Sequence, residues 1–437
     1  MFSQNGRISE KQMRRMLILP VYASLIFVVP CLSAWLFGES IVPGLMVFFV
    51  LACVYVGWIY GISTWLRKMG GFALNFGCGC QIREGTEKED YVDVLIKMPA
   101  PVSVLLVLLQ VLRLVVRLAF YICLTIEVLK EGQVPFMSHN AKENWASIWV
   151  VLPLLLVALY AANMGSIRRK KQTGDCYSEQ KKESGLPAVW RCGIEKQGRI
   201  YEMIFWLLFI PLVLVLLFGI REVDVSIFRP QWTISFATLL FRGYLLLPFL
   251  LPVENYILLR PFLQEAGMTG KEHEDRKRHC GSPSFFAVIG TVLLVCILTL
   301  FILGIYGVQG AGQEEMLTVA IMRYIRLPLG FIERVDVLLV WFFMIGCFVL
   351  IGQTLYFSAM LLEMVFTRAR RILLLAILLI VALVIVAFLP GYGGTLWLYR
   401  SYGAVMDVPL SVILPVFGIL VMRVYSETKN EKEGEVQ

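Results

Sequence analysis

The sequence predicts an all-α integral membrane protein of about ten transmembrane helices, arranged as a five-plus-five inverted repeat with the first and sixth helices broken. Three observations lead there: bulk composition, ten long apolar runs, and proline at corresponding places in the first and sixth. Of 437 residues, 58% are hydrophobic and 16% charged, and the mean hydropathy is +0.73. A soluble core cannot absorb that much apolar surface, whereas lipid can.

The runs fall at residues 13–37, 41–66, 101–127, 145–164, 201–220, 235–259, 285–306, 335–366, 372–389 and 408–424. Most match the roughly 20 residues a helix needs to cross hydrocarbon. Only a helix or a closed barrel satisfies its own backbone there, and the runs lack two-residue alternation, so helices are expected. One polytopic domain then covers residues 1–427, with repeat one at about 13–220, repeat two at about 235–424, and a cytoplasmic tail at 428–437. The first run is too long for a cleaved signal. Ser9, Glu10 and Lys11 precede it, and no small-residue cleavage site follows.

Orientation follows from the basic residues. Arg14 and Arg15 stand at the start of the first run, and Arg67 and Lys68, residues 168–171 and 276–278, and Arg368, Arg370 and Arg371 occupy alternate loops. These loops and both termini are expected to be cytoplasmic. The net charge of +8 thus reads as topology and contact with the lipid bilayer. No basic-aromatic module accompanies it, so a nucleic-acid partner is not expected. Cys31, Cys53, Cys123, Cys296 and Cys347 sit within apolar runs, while Cys78, Cys80, Cys176, Cys192 and Cys280 lie on the cytoplasmic side. No disulfide framework is expected, and Cys78 with Cys80 lacks the second ligand pair a metal needs. The internal loops at 67–100, 165–198 and 261–284 leave little room for a soluble domain. Residues 314–330 carry apolar side chains at helical spacing, which suits an amphipathic helix at the external mouth.

The prolines carry the mechanistic signal. Pro30 has no amide proton for the Ile26 carbonyl, and Pro248 and Pro252 have none for the carbonyls of Tyr244 and Pro248. The freed carbonyls need partners inside a bilayer. A bound ligand, ion or water between two broken helices supplies them in one reading, and neighbouring helices supply them in the other.

Charges within the runs need partners too. Arg113 and Arg117 are four residues apart on one helical face. A lipid-facing arginine there costs about 2.5 to 3.5 kcal/mol, so both are expected to face the bundle. Glu254, Glu202, Asp336 and Glu363 are the candidate partners, with Glu254 the most pointed because it follows Pro252 directly after the expected break. Catalysis finds little support. His139, His273 and His279 all lie in expected loops, no cofactor motif is present, and Gly391-Tyr392-Gly393-Gly394 reads as an external turn.

Particular residues now suggest a family. Ile8-Ser9 with Gln12, Val28-Val29-Pro30, Gly193-Ile194-Glu195 with Arg199 and Glu202, residues 222–226 leading to Pro230, Pro252-Val253-Glu254, and residues 331–336 occur in order along nearly the whole chain. The set resembles the B-subunit family of spore germinant receptors, which look like permeases of the amino acid, polyamine and organocation superfamily. The resemblance implies a nutrient-sensing subunit that binds a small-molecule germinant, often an amino acid. It also implies work beside receptor A and C subunits in the inner membrane of the spore or the cell membrane, with no catalysis and no cofactor. On this chain the ligand would be lined by Ser24, Phe27, Val28 and Pro30 of the first helix and Leu250, Leu251, Pro252 and Glu254 of the sixth. The third and eighth helices would complete the walls. Two other readings stay open: a proton-coupled amino acid transporter on the same fold, and a scaffold subunit that binds nothing.

Overall fold

A computed structural model describes residues 8–73, 100–131, 144–163, 188–220, 223–224, 229–263, 283–311, 316–324, 335–366, 370–389 and 391–434. The expectations placed on residues 78–80, 139, 168–171 and 273–280 lie outside them. Among the described residues there are helices and no strand. A single parallel bridge joins Ile8 to Leu263, with the Ile8 amide donating to the Phe262 carbonyl at 2.9 Å.

Each apolar run falls on helical structure among the described residues. The first helices are α1 (Glu10–Phe37), α2 (Ile41–Ala73), α3 (Ala100–Glu131), α4 (Asn144–Asn163) and α5 (Ala188–Gly219). A broken α6 follows, made of α6a (Phe236–Tyr244), a 3-10 stretch (Leu247–Glu254) and α6b (Asn255–Leu259). Then come α7 (Pro283–Tyr306), α8 (Val335–Val365), α9 (Arg371–Phe388) and α10, built from α10a (Tyr392–Tyr402), a π-helical turn (Gly403–Asp407) and α10b (Val408–Gly434). Six helical stretches are long and apolar enough to cross a membrane, the first of them running Glu10–Trp65, and α6 adds a seventh if its bent halves form one span.

Local chemistry explains the boundaries. A capping box starts α1: Ser9 Oγ accepts from the Gln12 amide at 3.2 Å, and Gln12 Oε1 accepts from the Ser9 amide at 3.0 Å. Gly38, at φ 53°, ends it in a conformation that side chains rarely adopt. Ser235 caps α6a through the Thr238 amide. The chain then bends by 47° between α6a and the stretch Leu247–Phe262, which opens in 3-10 geometry where Pro248 and Pro252 cannot donate.

The first helix differs from expectation. It is continuous through Pro20 and Pro30, because side chains from later helices take both orphaned carbonyls. Gln353 Nε2 of α8 donates to the Met16 carbonyl at 2.9 Å, the one Pro20 cannot reach. Thr318 Oγ1 donates to the Ile26 carbonyl at 2.5 Å, the one Pro30 cannot reach. Neighbouring helices thus satisfy α1, and no break is needed.

Three other boundaries move. The segment expected at the external mouth contains a helix at Leu317–Tyr324. Residues 316–321 are buried and the helix packs on α1 and α8, so it inserts rather than lying amphipathically on the surface. The fifth helix begins at Ala188 instead of residue 201, with an Arg199–Glu195 ion pair of 2.5 Å across one turn. The tenth begins at Tyr392 instead of residue 408, with Gly391 as its N-cap, so the expected external turn at residues 391–394 is mostly helix. Its far end continues to Gly434, into the expected tail.

Buried α1 sits at the centre, against α5, α6, α7 and α8. Around it, α2 packs on α6 and α7, α3 on α8, α9 and α10, and α4 on α8 and α9.

Candidate functional site

The two intramembrane arginines occupy one face of α3, where the four-residue spacing stacks them. That face turns inward: Arg113 is 1% exposed and Arg117 2%. The 3-10 stretch of α6 delivers Glu254 to them, and the π turn of α10 delivers Asp407, which is fully buried.

These four groups form a closed network. Arg113 donates from Nε to Asp407 Oδ1 at 2.6 Å, from Nη2 to Glu254 Oε2 at 2.9 Å and to the Asp407 carbonyl at 3.0 Å, and from Nη1 to Gln110 Oε1 at 2.9 Å. Arg117 donates from Nε and Nη2 to the two Asp407 carboxylate oxygens, each at 2.8 Å. Its Nη1 pairs with Glu254 Oε1. Two cations thus meet two anions, and the formal sum is zero. Charge-assisted bonds of this kind are strong, but burying the ions costs about as much as their attraction returns. The network is therefore a specifier: it fixes how α3, α6 and α10 meet.

The surrounding contacts serve the same junction. Phe120 of α3 stacks on Tyr399 of α10a with centroids 4.1 Å apart, and Phe249 of the 3-10 stretch packs on both. Tyr244 donates to the Ala404 carbonyl at 2.6 Å, satisfying backbone that the π turn exposes. Gly403 lies against Pro248, and a Cβ built there would meet Pro248 Cγ at 2.7 Å. The broken helix and the π turn therefore touch at backbone distance, which only glycine permits.

Beside the network is a small cavity with room for about one water-sized group. Pro20 of α1, Leu114, Arg117 and Tyr121 of α3, Pro252 and Asn255 of α6, and Leu350, Gln353 and Thr354 of α8 line it. Four helices converge there, two of them at their prolines.

The residues expected around a ligand fall into two groups. Pro252 lines the cavity and Glu254 belongs to the network beside it. Ser24, Phe27, Val28, Pro30, Leu250 and Leu251 are buried. Ser24 lies beside Tyr121, and Phe27 packs edge-on against Phe343 of α8 at 5.3 Å. On the α1 side it is Pro20, not Pro30, that reaches the cavity.

Charge partners need similar sorting. Glu202 pairs with Arg15 at 2.9 Å, and Glu363 with Arg371 at 3.5 Å, so neither joins Arg113. The side chain of Asp336 lies outside the described part of the structure. Asp407 takes the fourth place, unnamed by the sequence reading because the last apolar run was counted from Val408. Charge balance was the available signal: two buried arginines call for two acids. Among the described residues, no group of three His, Cys, Asp or Glu side chains is placed to hold a metal.

Long apolar helices enclosing a neutralised charge network define a polytopic helical membrane protein. Residues 189–390 match the family described as spore germination protein, the spore permease family. Over this stretch, a little under half of its length, the chain is similar to that family, in line with the resemblance read from the sequence, and the similarity suggests a role in spore germination. The stretch runs from α5 through α9 and contains Glu254, Asn255, Gln353 and Thr354. No curated protein matches the chain.

Proposed function

We propose that this chain is the nutrient-sensing subunit of a spore germinant receptor, taking a small molecule where α1, α3, α6 and α8 converge. The observation that carries the reading is the meeting of four helices at this cavity, which must widen to admit anything larger than one water-sized group. The cavity lies at the break of α6, next to an ion network that joins the same break to α10. A ligand with higher affinity for one arrangement of α6 than for another shifts the balance between them. The network converts such a shift into movement of α3 and α10, which partner A and C subunits would read.

Helix neighbours support the permease-like ten-helix repeat. Exchanging each helix n with n+5 turns the α1–α7 contact into α6–α2, α3–α9 into α8–α4, and α3–α10 into α8–α5, and all six contacts occur. The α1–α6, α2–α7, α3–α8 and α4–α9 contacts map onto themselves, and they occur too. An inverted repeat produces such pairing. In this reading the chain sits in the spore inner membrane or the cell membrane with both termini cytoplasmic, and it neither catalyses a reaction nor carries a cofactor.

The test is nutrient-triggered germination of spores lacking this chain, across amino acids and other small nutrients, with wild-type complementation. Loss of response to particular nutrients, restored by the wild-type chain, is expected. An unchanged response across the panel contradicts a receptor role. Labelled uptake into proteoliposomes separates sensing from transport: saturable binding without accumulation is expected of the sensor.

A further inference from the structure

The cavity has a polarity that bears on what it recognises, and this step rests on the sensor reading above. Asn255 is 5% exposed and Gln353 1%, and both line the cavity. Among the described residues, Asn255 Oδ1 and Gln353 Oε1 are buried without a hydrogen-bond donor. Gln353 cannot relieve this by turning over, because its Nε2 is held by the Met16 carbonyl that Pro20 leaves free. Two amide oxygens in a dry site without donors are costly, and a donor brought by a ligand recovers that cost.

Cationic donors for an anionic ligand are committed elsewhere. Arg117 is the cation in the cavity wall, and all three of its nitrogens already face Asp407 or Glu254. The Thr354 hydroxyl donates to the Leu350 carbonyl at 2.7 Å. Glu254 is not in the cavity wall and its charge is matched by Arg113 and Arg117, so the polarity of the wall is set by the two amide oxygens, which accept from a donor and offer nothing to a carboxylate. We propose that Asn255 and Gln353 form an acceptor pair for a compact ammonium group, either the amine end of an organic germinant or a free ammonium ion. A carboxylate is not required for recognition at this site. Because Gln353 also holds α1 at Met16, occupancy would be felt directly by the first helix.

The experiment uses the full-length purified chain in lipid nanodiscs. Thermal stabilisation is titrated with ammonium chloride, 2-aminopropan-1-ol and sodium propionate, against sodium chloride at equal ionic strength. Saturable stabilisation by at least one amine and none by propionate is expected. Stabilisation by ammonium alone assigns the site to the free ion, and stronger stabilisation by the amino alcohol assigns it to an organic amine. Asn255→Leu should weaken the amine effect by about tenfold or more, while Asn255→Ser, which keeps an acceptor, should retain part of it and guards against simple misfolding. Propionate acting as well as the amines overturns the proposal. So does the absence of any effect from all three, which would leave a site for one water only. Either result leaves the nutrient response of spores lacking the chain to be judged independently.

Discussion

Asp407→Asn is expected to destabilise the folded protein by about 3 to 5 kcal/mol, the usual cost of removing one partner from a buried ion pair. The substitution preserves shape and one acceptor oxygen, so its effect isolates charge. Arg113 and Arg117, each at most 2% exposed, would then share Glu254 alone, and one positive charge would lie uncompensated among packed helices. The expected readout is a lower temperature of half-unfolding in detergent and a reduced folded yield. Adding Arg113→Gln to Asp407→Asn should recover much of the loss, because Arg117 and Glu254 remain as a neutral pair. Were the double variant as unstable as the sum of the singles, charge balance would not be what holds the junction.

The second large effect is expected at Gly403. A Cβ at this position runs into the Pro248 ring, and neither the rigid ring nor a π turn anchored by Tyr244 at Ala404 yields easily. Gly403→Ala should cost about 1 to 3 kcal/mol as an overpacked contact, and Gly403→Val more. By contrast Gly352, with nothing within 4 Å of its would-be Cβ, should accept alanine with no such cost. Thermal unfolding of the two alanine variants side by side makes the comparison. Equal behaviour would show that the close approach of α6 and α10 carries no energetic weight.

Much of this architecture is legible in the sequence because the bilayer limits the choices so strongly. The apolar runs marked where helices form, and the four-residue spacing of Arg113 and Arg117 placed both on one inward face. Glu254 could be singled out because an acid two residues after a proline inside an apolar run needs a partner. What stayed hidden depends on contacts remote in sequence. Pro30 and Pro20 look alike as breakers, yet both are accommodated by donors roughly three hundred residues away, Thr318 and Gln353. Asp407 stands just outside an apolar run when the run is measured by hydropathy, and the π turn that carries it inward leaves no simple periodicity. Asn255 beside Glu254 and Gln353 beside Thr354 lie about a hundred residues apart in the sequence, so only their shared cavity gives them a common meaning.

In the proposed reading, the nutrient acts where α1, α3, α6 and α8 converge. The most direct measurement is the germination dose response of spores whose copy of this chain carries Thr354→Leu, which fills the cavity wall without touching the charge network. Chain abundance in the spore membrane is measured in parallel. At unchanged abundance, a nutrient requirement raised by about tenfold or more, or a lost response, is the expected result, since a filled site must exclude its ligand. A dose response identical to wild type at equal abundance would contradict the claim and move the sensing site elsewhere in the protein.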